Sequence, residues 1–469
     1  MKKNILFAFF LGVIANFANA QPFTSVHTID PNAGIDPLEI ASGDLDGDGD
    51  IDIVMATYNY NGGTPAVDYI KWYKNDGHGN FSIELVSSDV LWIDGLTVAD
   101  IDGQYGLDIV ATSAYQNKLV YFLSDGVGFG PEVVVDGALG GPGEVVAGDI
   151  NNDGTIDLAV VSYDENKTTW YSNDGSGNFT MEADIENGST NGPYYLDLGD
   201  FDGDGDLDVV VGFYNTQTIE IYYNQYVESG TNTVSWIKDT TPVSTGNSAI
   251  LAVRFADVNN DGIMDVIKAD NITGDVAWYE KTVNGPSVEH IVSDESIIDR
   301  PGMVYVVDLD GDTYNDVIVV DGGAADDAII YFKGEANAAP SATPTLVTNN
   351  NHQYWDITVG DFDGDSDMDI AVPGRFNDAI EWSENLQVVL GISDTNLPEL
   401  SIYPNPTSGI LHFKGITDGT LISIYDTIGK NILNTTLAID TPLDVSALEN
   451  GVYLIKFDGK DKTFKFIKR

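Results

Sequence analysis

Five carboxylates crowd into nine residues at Asp200-Phe201-Asp202-Gly203-Asp204-Gly205-Asp206-Leu207-Asp208. Asp200, Asp202, Asp204 and Asp208 stand at positions 1, 3, 5 and 9, with Gly205 at position 6. Side by side in water, these groups repel one another. A hard divalent cation turns that repulsion into binding, and Ca²⁺ takes roughly six to eight oxygens. Glycine at position 6 allows a sharp turn, which brings the carbonyl of position 7 to the same point as the carboxylates.

The pattern recurs seven times, at steps of 49 to 57 residues. The first copy carries Asp44, Asp46, Asp48, Asp50 and Asp52, with Gly49 at the turn. The third (Asp149, Asn151, Asp153, Asp157) and the fifth (Asp257, Asn259, Asp261, Asp265) replace one carboxylate by a neutral amide oxygen, which predicts weaker binding. The sixth (Asp308, Asp310, Asp312, Asp316) and the seventh (Asp361, Asp363, Asp365, Asp369) keep their acids but place Thr313 and Ser366 at the turn. The second departs most. It has Asp100, Asp102 and Asp108, but Gln104 at position 5 and Tyr105 at the turn, and is expected to be empty or weak. Position 7, a ligand through its carbonyl, is Asp50, Thr155, Asp206, Ile263 or Asp367 in five of the copies. The acid spacing is that of an EF-hand loop, yet each copy closes with Asp at position 9 and enters an apolar run such as Val209-Val210-Val211.

Those runs, and the ones before each loop, are β-branched and bounded by turn residues, which predicts strands. In the fourth copy they are Tyr194–Gly199 and Leu207–Gly212. A third, aromatic strand follows, as in Trp72-Tyr73, Trp170-Tyr171, Trp278-Tyr279 and Trp382, and is expected to pack unit against unit. The hairpin signal Asn75-Asp76-Gly77 leads to a fourth strand at Phe81–Val86. Four strands in about fifty residues, repeated seven times, predict an all-β fold, a seven-bladed β-propeller. The seventh unit has no clear fourth strand, while Phe23–Ile29 precedes the first unit as an orphan. Its pairing onto the last blade would fasten the ring and remove an open edge.

The chain of 469 residues has no cysteine and a formal net charge of -53. Disulfides are excluded, and phosphate-rich nucleic acid is disfavoured as a partner. The loops hold 28 of the 74 acidic residues. Met1-Lys2-Lys3, an apolar run from Ile5 to Phe17 and Ala18-Asn19-Ala20 form a secretory leader over residues 1–20, too short to span a bilayer. The route runs through the periplasm.

Strand, acidic loop and strand together resemble the FG-GAP or VCBS-type repeats of integrin-like propellers, over residues 21–390. The resemblance implies calcium in about five to seven structural sites. Residues 391–469 change character, with eight of the 21 Lys and Arg. Alternating apolar strands and turns such as Tyr403-Pro404-Asn405-Pro406 predict a small antiparallel β-sandwich. These residues resemble the type A sorting domain of the type IX secretion system. That implies the secretion machinery as partner, cleavage of the domain, and release or attachment at the outer-membrane surface.

Three kinds of function are compatible with this plan, two of them acting on ligands. One is a binding or adhesion module for glycan or protein ligands, using aromatic and amide side chains opposite the acidic loops: Tyr58, Asn59, Tyr60, Asn61, Tyr115, Gln116, Asn117, Tyr163, Tyr214 and Asn215. The other is a polysaccharide lyase. Arg300 and Arg375 would pair a uronate carboxylate, and His352 or Tyr354 would remove the adjacent proton. Clustering of these four in one pocket would favour the lyase, and scattering would discard it. A purely structural surface protein is the third possibility.

Overall fold

The computed structural model describes residues 23–24, 26–59, 67–188, 191–230, 233–246, 249–282, 285–322, 328–350, 352–386, 401–403, 407–414, 420–426, 430–437, 442–448, 451–457 and 463–469. The leader, Tyr60, Asn61 and the Pro-Asn-Pro turn lie outside the described residues. The chain divides into two compact units, residues 1–387 and 388–469.

The first unit is a β-propeller, with seven antiparallel sheets among its described residues. The first sheet pairs Pro37–Gly43, Asp52–Thr57, Ile70–Asn75 and Phe81–Ser87 in chain order. The second strand of every sheet is buried along its whole length, as in Asp52–Thr57 and Asp208–Phe213. Its continuous β-branched run suits a strand covered on both faces. Most fourth strands are largely exposed, as in Phe81–Ser87, where Ile83 and Leu85 face solvent beside Ser82 and Glu84.

The first strand of each sheet packs against the first strand of the next, from Pro37–Gly43 through Ile93–Ala99, Pro142–Gly148, Pro193–Gly199 and Ile250–Ala256 to Pro301–Val307. Met303 N–H then donates to Trp355 O at 3.1 Å, at the entry to the seventh sheet. Ser42 and Thr358 hydroxyls meet at 2.5 Å to complete the circle. The aromatic third strands fill the spaces between sheets, as expected. Trp72, Trp170, Trp278 and Trp382 are all buried, and Trp72 meets Phe129 of the next sheet edge-on at 5.4 Å.

The orphan N-terminal strand closes the ring as its position in the sequence implied. His27–Asp30 pairs antiparallel with Ala379–Ser383, the third strand of the seventh sheet. Phe23 is buried and stands edge-on to Tyr331 of the sixth sheet at 6.3 Å. Asp30 accepts from Lys71 Nζ at 2.9 Å and Tyr73 Oη at 3.2 Å, both in the first sheet. One short segment thus ties the seventh sheet to both neighbours.

The second unit has two sheets. One joins Ser401–Tyr403, Ile410–Lys414 and Leu443–Asp444. The other joins Asn431–Leu437, Thr420–Asp426, Gly451–Phe457 and Thr463–Lys468. Leu411, Phe413, Ile422, Ile424, Ile455 and Phe466 share one core between them.

Deletion of residues 21–30 is expected to lower the melting temperature sharply. Phe23→Ala alone should cost about 3 kcal/mol, in the range for a buried Phe truncated to Ala. Thermal melts of both variants check this, and a deletion that melts like the parent would sink the closure argument.

Candidate metal loops and central channel

Each acidic loop connects the first strand of its sheet to the second. The position-1 carboxylate folds the loop by collecting its N–H groups. Asp200 accepts from Gly203 N–H at 2.8 Å and Gly205 N–H at 3.1 Å. Asp361 accepts from Gly364 at 2.8 Å and Ser366 at 2.9 Å, and Asp308 from Thr313 at 2.8 Å. Position 6 takes a positive φ whatever its residue: 99° at Gly205, 64° at Tyr105, 79° at Thr313 and 78° at Ser366. The turn that glycine favours is therefore kept at a strain cost by Tyr, Thr and Ser.

Position 9 is fully buried in all seven loops, at Asp52, Asp108, Asp157, Asp208, Asp265, Asp316 and Asp369. Asp208 accepts Phe201 N–H on one oxygen at 3.0 Å and Asn224 N–H on the other at 2.9 Å. Asp369 does the same with Phe362 at 2.9 Å and Asn385 at 2.8 Å. The residue so held at the end of the third strand reaches back to the preceding sheet. Asn224 Nδ2 donates to Ile150 O at 2.8 Å, Asn173 Nδ2 to Ile101 O at 2.8 Å, and Asn385 Nδ2 to Leu309 O at 2.7 Å. Ser124 and Lys281 fill the same role toward Leu45 O and Phe201 O.

Withdrawal from water pushes these position-9 carboxyls up, to about 6 at Asp157 and about 7 at Asp208 and Asp369, although backbone N–H groups pull the other way. Positions 1, 3 and 5, or 1, 3 and 9, bring carboxylate oxygens within 4.8 Å of one another at Asp44/Asp46/Asp48, Asp100/Asp102/Asp108, Asp200/Asp202/Asp208, Asp308/Asp310/Asp316 and Asp361/Asp363/Asp365. The second loop is among them despite Gln104 and Tyr105. Asp46 Oδ1, Asp204 Oδ2, Asp310 Oδ1 and Asp367 Oδ1 are buried and accept no hydrogen bond. Orphaned carboxylate oxygens at the centre of a loop fit a cation. Lysines supply some positive charge. Lys74 contacts Asp46 and lies 3.4 Å from Asp48, and Lys333 contacts Asp310 and lies 3.0 Å from Asp312.

At the other end of the inner strands the central channel opens into a cavity of about 480 Å³. The starts of those strands and the turns after the second strands supply its walls, so it lies opposite the acidic loops. Tyr58, Tyr163, Tyr194, Tyr195, Tyr214 and Trp355 are its aromatic lining. Tyr163 stands edge-on to Tyr194 at 6.0 Å and to Tyr214 at 6.3 Å. Deeper in the channel a second cavity of about 450 Å³ is polar. Arg254 Nη2 pairs with Glu144 Oε1 there at 2.7 Å. Glu39, Glu144, Met303 and Asp356 line both cavities.

A family model described as FG-GAP-like repeat matches residues 44–103, 149–211, 203–267 and 273–372, more than half of the chain. The chain belongs to the FG-GAP-like repeat family. A second model, described as secretion system C-terminal sorting domain, matches residues 401–469, which implies handling by the type IX secretion system and a secreted or cell-surface location. No curated protein matches the sequence. Among solved structures, BBS1N in complex with ARL6DN is similar with a TM-score of 0.53 at 10% identity, over 79% of this chain and 98% of that one. PorZ of Porphyromonas gingivalis, a surface component of the type IX secretion system, gives 0.48 at 14% identity over 93% of this chain, which spans 60% of the length of PorZ. An Agrocybe aegerita lectin for terminal N-acetylglucosamine gives 0.47 at 16% identity, over 75% of this chain and 86% of that one. No helix among the described residues is long and apolar enough to cross a membrane.

The FG-GAP-like propeller does not gather the four residues singled out for lyase chemistry. Arg375 reaches the aromatic cavity, where it pairs with Asp36 at 3.3 Å and lies 5.7 Å over the Trp355 ring. Arg300 is exposed and lines neither cavity. Tyr354 is fully buried, and its hydroxyl donates to Glu381 Oε2 at 2.8 Å. His352 Nδ1 lies 2.8 Å from the same oxygen. The His–Tyr pair holds a buried glutamate and lines neither cavity, so it does not share a pocket with Arg375, although Arg375 N–H donates to Gln353 O at 3.3 Å. Of the tyrosines proposed for ligand contact, Tyr58, Tyr163 and Tyr214 do line the mouth, whereas Tyr115 packs on Trp92 at 5.1 Å.

Sequence reasoning passed over Glu39, Glu144, Tyr195, Asp356 and Arg254. A signal was present. Glu39, Glu144, Tyr195 and Asp356 each stand five residues before the first Asp of their loop, on a strand expected to be apolar.

The channel acids also set a pH dependence. Burial pushes Asp94 up to about 6, opposed by its hydrogen bond from Tyr194 Oη at 2.9 Å. The unfolded value is about 3.9, so the folded state holds this proton more tightly. Its stabilising contribution is complete below about pH 4 and is lost as the pH rises through about 6. The position-9 acids of the loops shift in the same sense, so the test is a difference. Asp94→Asn should melt less steeply downward than the parent between pH 4 and 7. Parallel slopes in the two melting profiles would refute the assignment.

Proposed function

We propose that this chain is an exported, calcium-stabilised propeller that acts as a binding or adhesion module for glycan or protein ligands. The observation that carries the reading is the aromatic cavity at the channel mouth. Pockets of a few hundred Å³ with mostly aromatic walls and a few polar groups are where ligands bind. Among the described residues, Arg300, His352 and Tyr354 do not line it. The leader over residues 1–20 directs the chain to the periplasm, and the sorting domain carries it on to the surface.

Calcium is the ion the loops suit. All the donors are oxygens, and position 7 offers a carbonyl beside carboxylates at positions 1, 3, 5 and 9. The ligands would be Asp200, Asp202, Asp204, Asp208 and the carbonyl of Asp206 in the fourth loop, with the equivalent residues elsewhere. The ion would neutralise the position-9 carboxylate that otherwise resists ionisation. Its role is structural, since every donor serves the turn.

Two measurements test this reading. Saturation of one site at a hundred times its dissociation constant stabilises by about 2.7 kcal/mol, so chelation of several sites should lower the melt by many degrees. A melting temperature unmoved by chelator would discard calcium. Glycan and surface-protein binding screens should yield a ligand lost in Trp355→Ala, without turnover of uronate polysaccharides as read by ultraviolet absorbance. Appearance of unsaturated uronates would overturn the binding-module reading.

A further inference from the structure

The mouth of the channel combines two features that are usually separate. Its rim is aromatic and its floor is acidic. Glu39, Asp94, Glu144 and Asp356 all line the same cavity as Tyr58, Tyr163, Tyr194, Tyr214 and Trp355. Two arginines stand near, and both are already engaged: Arg254 with Glu144 at 2.7 Å, and Arg375 with Asp36 at 3.3 Å. Asp94 receives a hydroxyl from Tyr194 at 2.9 Å. Asp356 is buried and receives Ile40 N–H at 3.0 Å and Ile357 N–H at 2.8 Å. Glu39 has no donor among the described residues. It stands where the aromatic and polar cavities meet. Asp356, Asp94 and Glu144 face it and raise its carboxyl well above the usual range, burial being the largest cause, while Arg254 acts in the opposite sense.

This surplus of acidic groups over basic ones does not suit a metal ion. Among the described residues, the triplets of acids whose oxygens converge within 4.8 Å are loop acids, and none is in the channel. The channel acids stand too far apart to share one small ion. They suit a cation that is larger and partly apolar. Aromatic faces attract such cations through the ring quadrupole, most strongly where water is excluded. The protein already seats one of its own cations in this way, Arg375 over Trp355 at 5.7 Å.

Resting on the reading of the mouth as a ligand site, we propose that it binds an alkylammonium group, with the charge at Glu39 and the C–H face of its carbon skeleton against Tyr163, Tyr194, Tyr214 and Trp355. The group belongs to a protonated lysine side chain, a free diamine or an amino sugar, which share this chemistry. A cavity of about 480 Å³ accommodates any of them. A uronate is disfavoured, because its carboxylate would face Glu39, Asp94 and Asp356.

Titration calorimetry of the full chain in saturating calcium tests the proposal, with the acidic loops kept filled. The probes are Nα-acetyl-lysine amide, butane-1,4-diammonium and glucosamine, each against a neutral counterpart: Nα-acetyl-norleucine amide, butane-1,4-diol and N-acetylglucosamine. The expected result is that one or more ammonium probes bind at least tenfold more tightly than the neutral partner, and the strongest identifies the source. Glu39→Gln, which keeps the shape, should weaken that probe at least tenfold. Tyr214→Ala, at a half-exposed rim position, should weaken it severalfold without disturbing the core. Melts in calcium establish that both variants are folded. Equal affinity for charged and neutral partners overturns the ammonium assignment and leaves the binding module standing. Ammonium binding unchanged in both variants places the cation elsewhere and also overturns it. Absence of binding by every probe in the panel overturns it as well, while a ligand from the wider glycan and protein screens would still uphold the mouth as a binding site.

Discussion

The propeller hangs on a carboxylate that has no access to water. At position 9 of each acidic loop an aspartate is buried, and in every loop but the fifth, where Asp265 Oδ2 accepts no hydrogen bond, its two oxygens hold two different stretches of backbone. One oxygen fixes the start of the loop, as Asp208 does with Phe201 N–H, and the other fixes the end of the third strand, as Asp208 does with Asn224 N–H. A neutral residue could not accept on both sides, and an exposed one would lose the hydrogen bonds to water. The side chain so fixed, Asn224, then donates to Ile150 O of the preceding sheet. The loop therefore does more than turn the chain. It sets the spacing between neighbouring sheets, and the same clasp recurs at Asn75, Asn173 and Asn385. In a chain without cysteine, this polar linkage does part of the work of covalent staples.

Burial of that carboxylate has an electrostatic cost, and the rest of the loop answers it. Position 1 spends its oxygens on N–H groups of the turn, which pulls the acids at positions 3 and 5 inward. The result is oxygens without donors, at Asp46, Asp204 and Asp310, and Asp367 at position 7 has one as well. Positive charge at the centre of such a loop would offset that cost. Lys74 and Lys333 show that the first and sixth loops can recruit it from the protein itself. The left-handed turns at Tyr105, Thr313 and Ser366 carry backbone strain for the same reason. The geometry around the acids is kept even where the residue at position 6 resists it.

The loops were legible in the sequence because each is local and repeated. Nine consecutive residues fix the turn, and seven copies in register remove the ambiguity that one copy leaves. The closing strand was legible by strand accounting, since Phe23–Ile29 had no partner in its own unit. The channel was not legible in this way. Tyr194 meets Asp94 across a hundred residues of chain, and Arg254 meets Glu144 across more than a hundred. Ring closure, not spacing, brings them together. The grouping of Arg300, Arg375, His352 and Tyr354 failed for the same reason. They are near in sequence around the sixth and seventh sheets, but strand alternation sends Tyr354 into the core and leaves Arg300 outside both cavities. A residue's offset from its loop predicts its place in the ring better than its chemical type does.

The two ends of the inner strands divide the acidic charge between two different tasks. At the loop end, carboxylates belong to one short segment and converge to the separation that a small ion requires. At the opposite end each carboxylate comes from a different sheet, so the diameter of the ring holds them apart. Closer approach would need the inner strands to move inward, which the packed third strands prevent. Aromatic side chains from the turns after the second strands then fill the gaps between the acids at the mouth. Negative charge dispersed among ring faces selects for a diffuse cation, just as negative charge concentrated in a turn selects for a compact one. The fold dictates this division, because a turn can gather its own ligands and a ring of strands cannot.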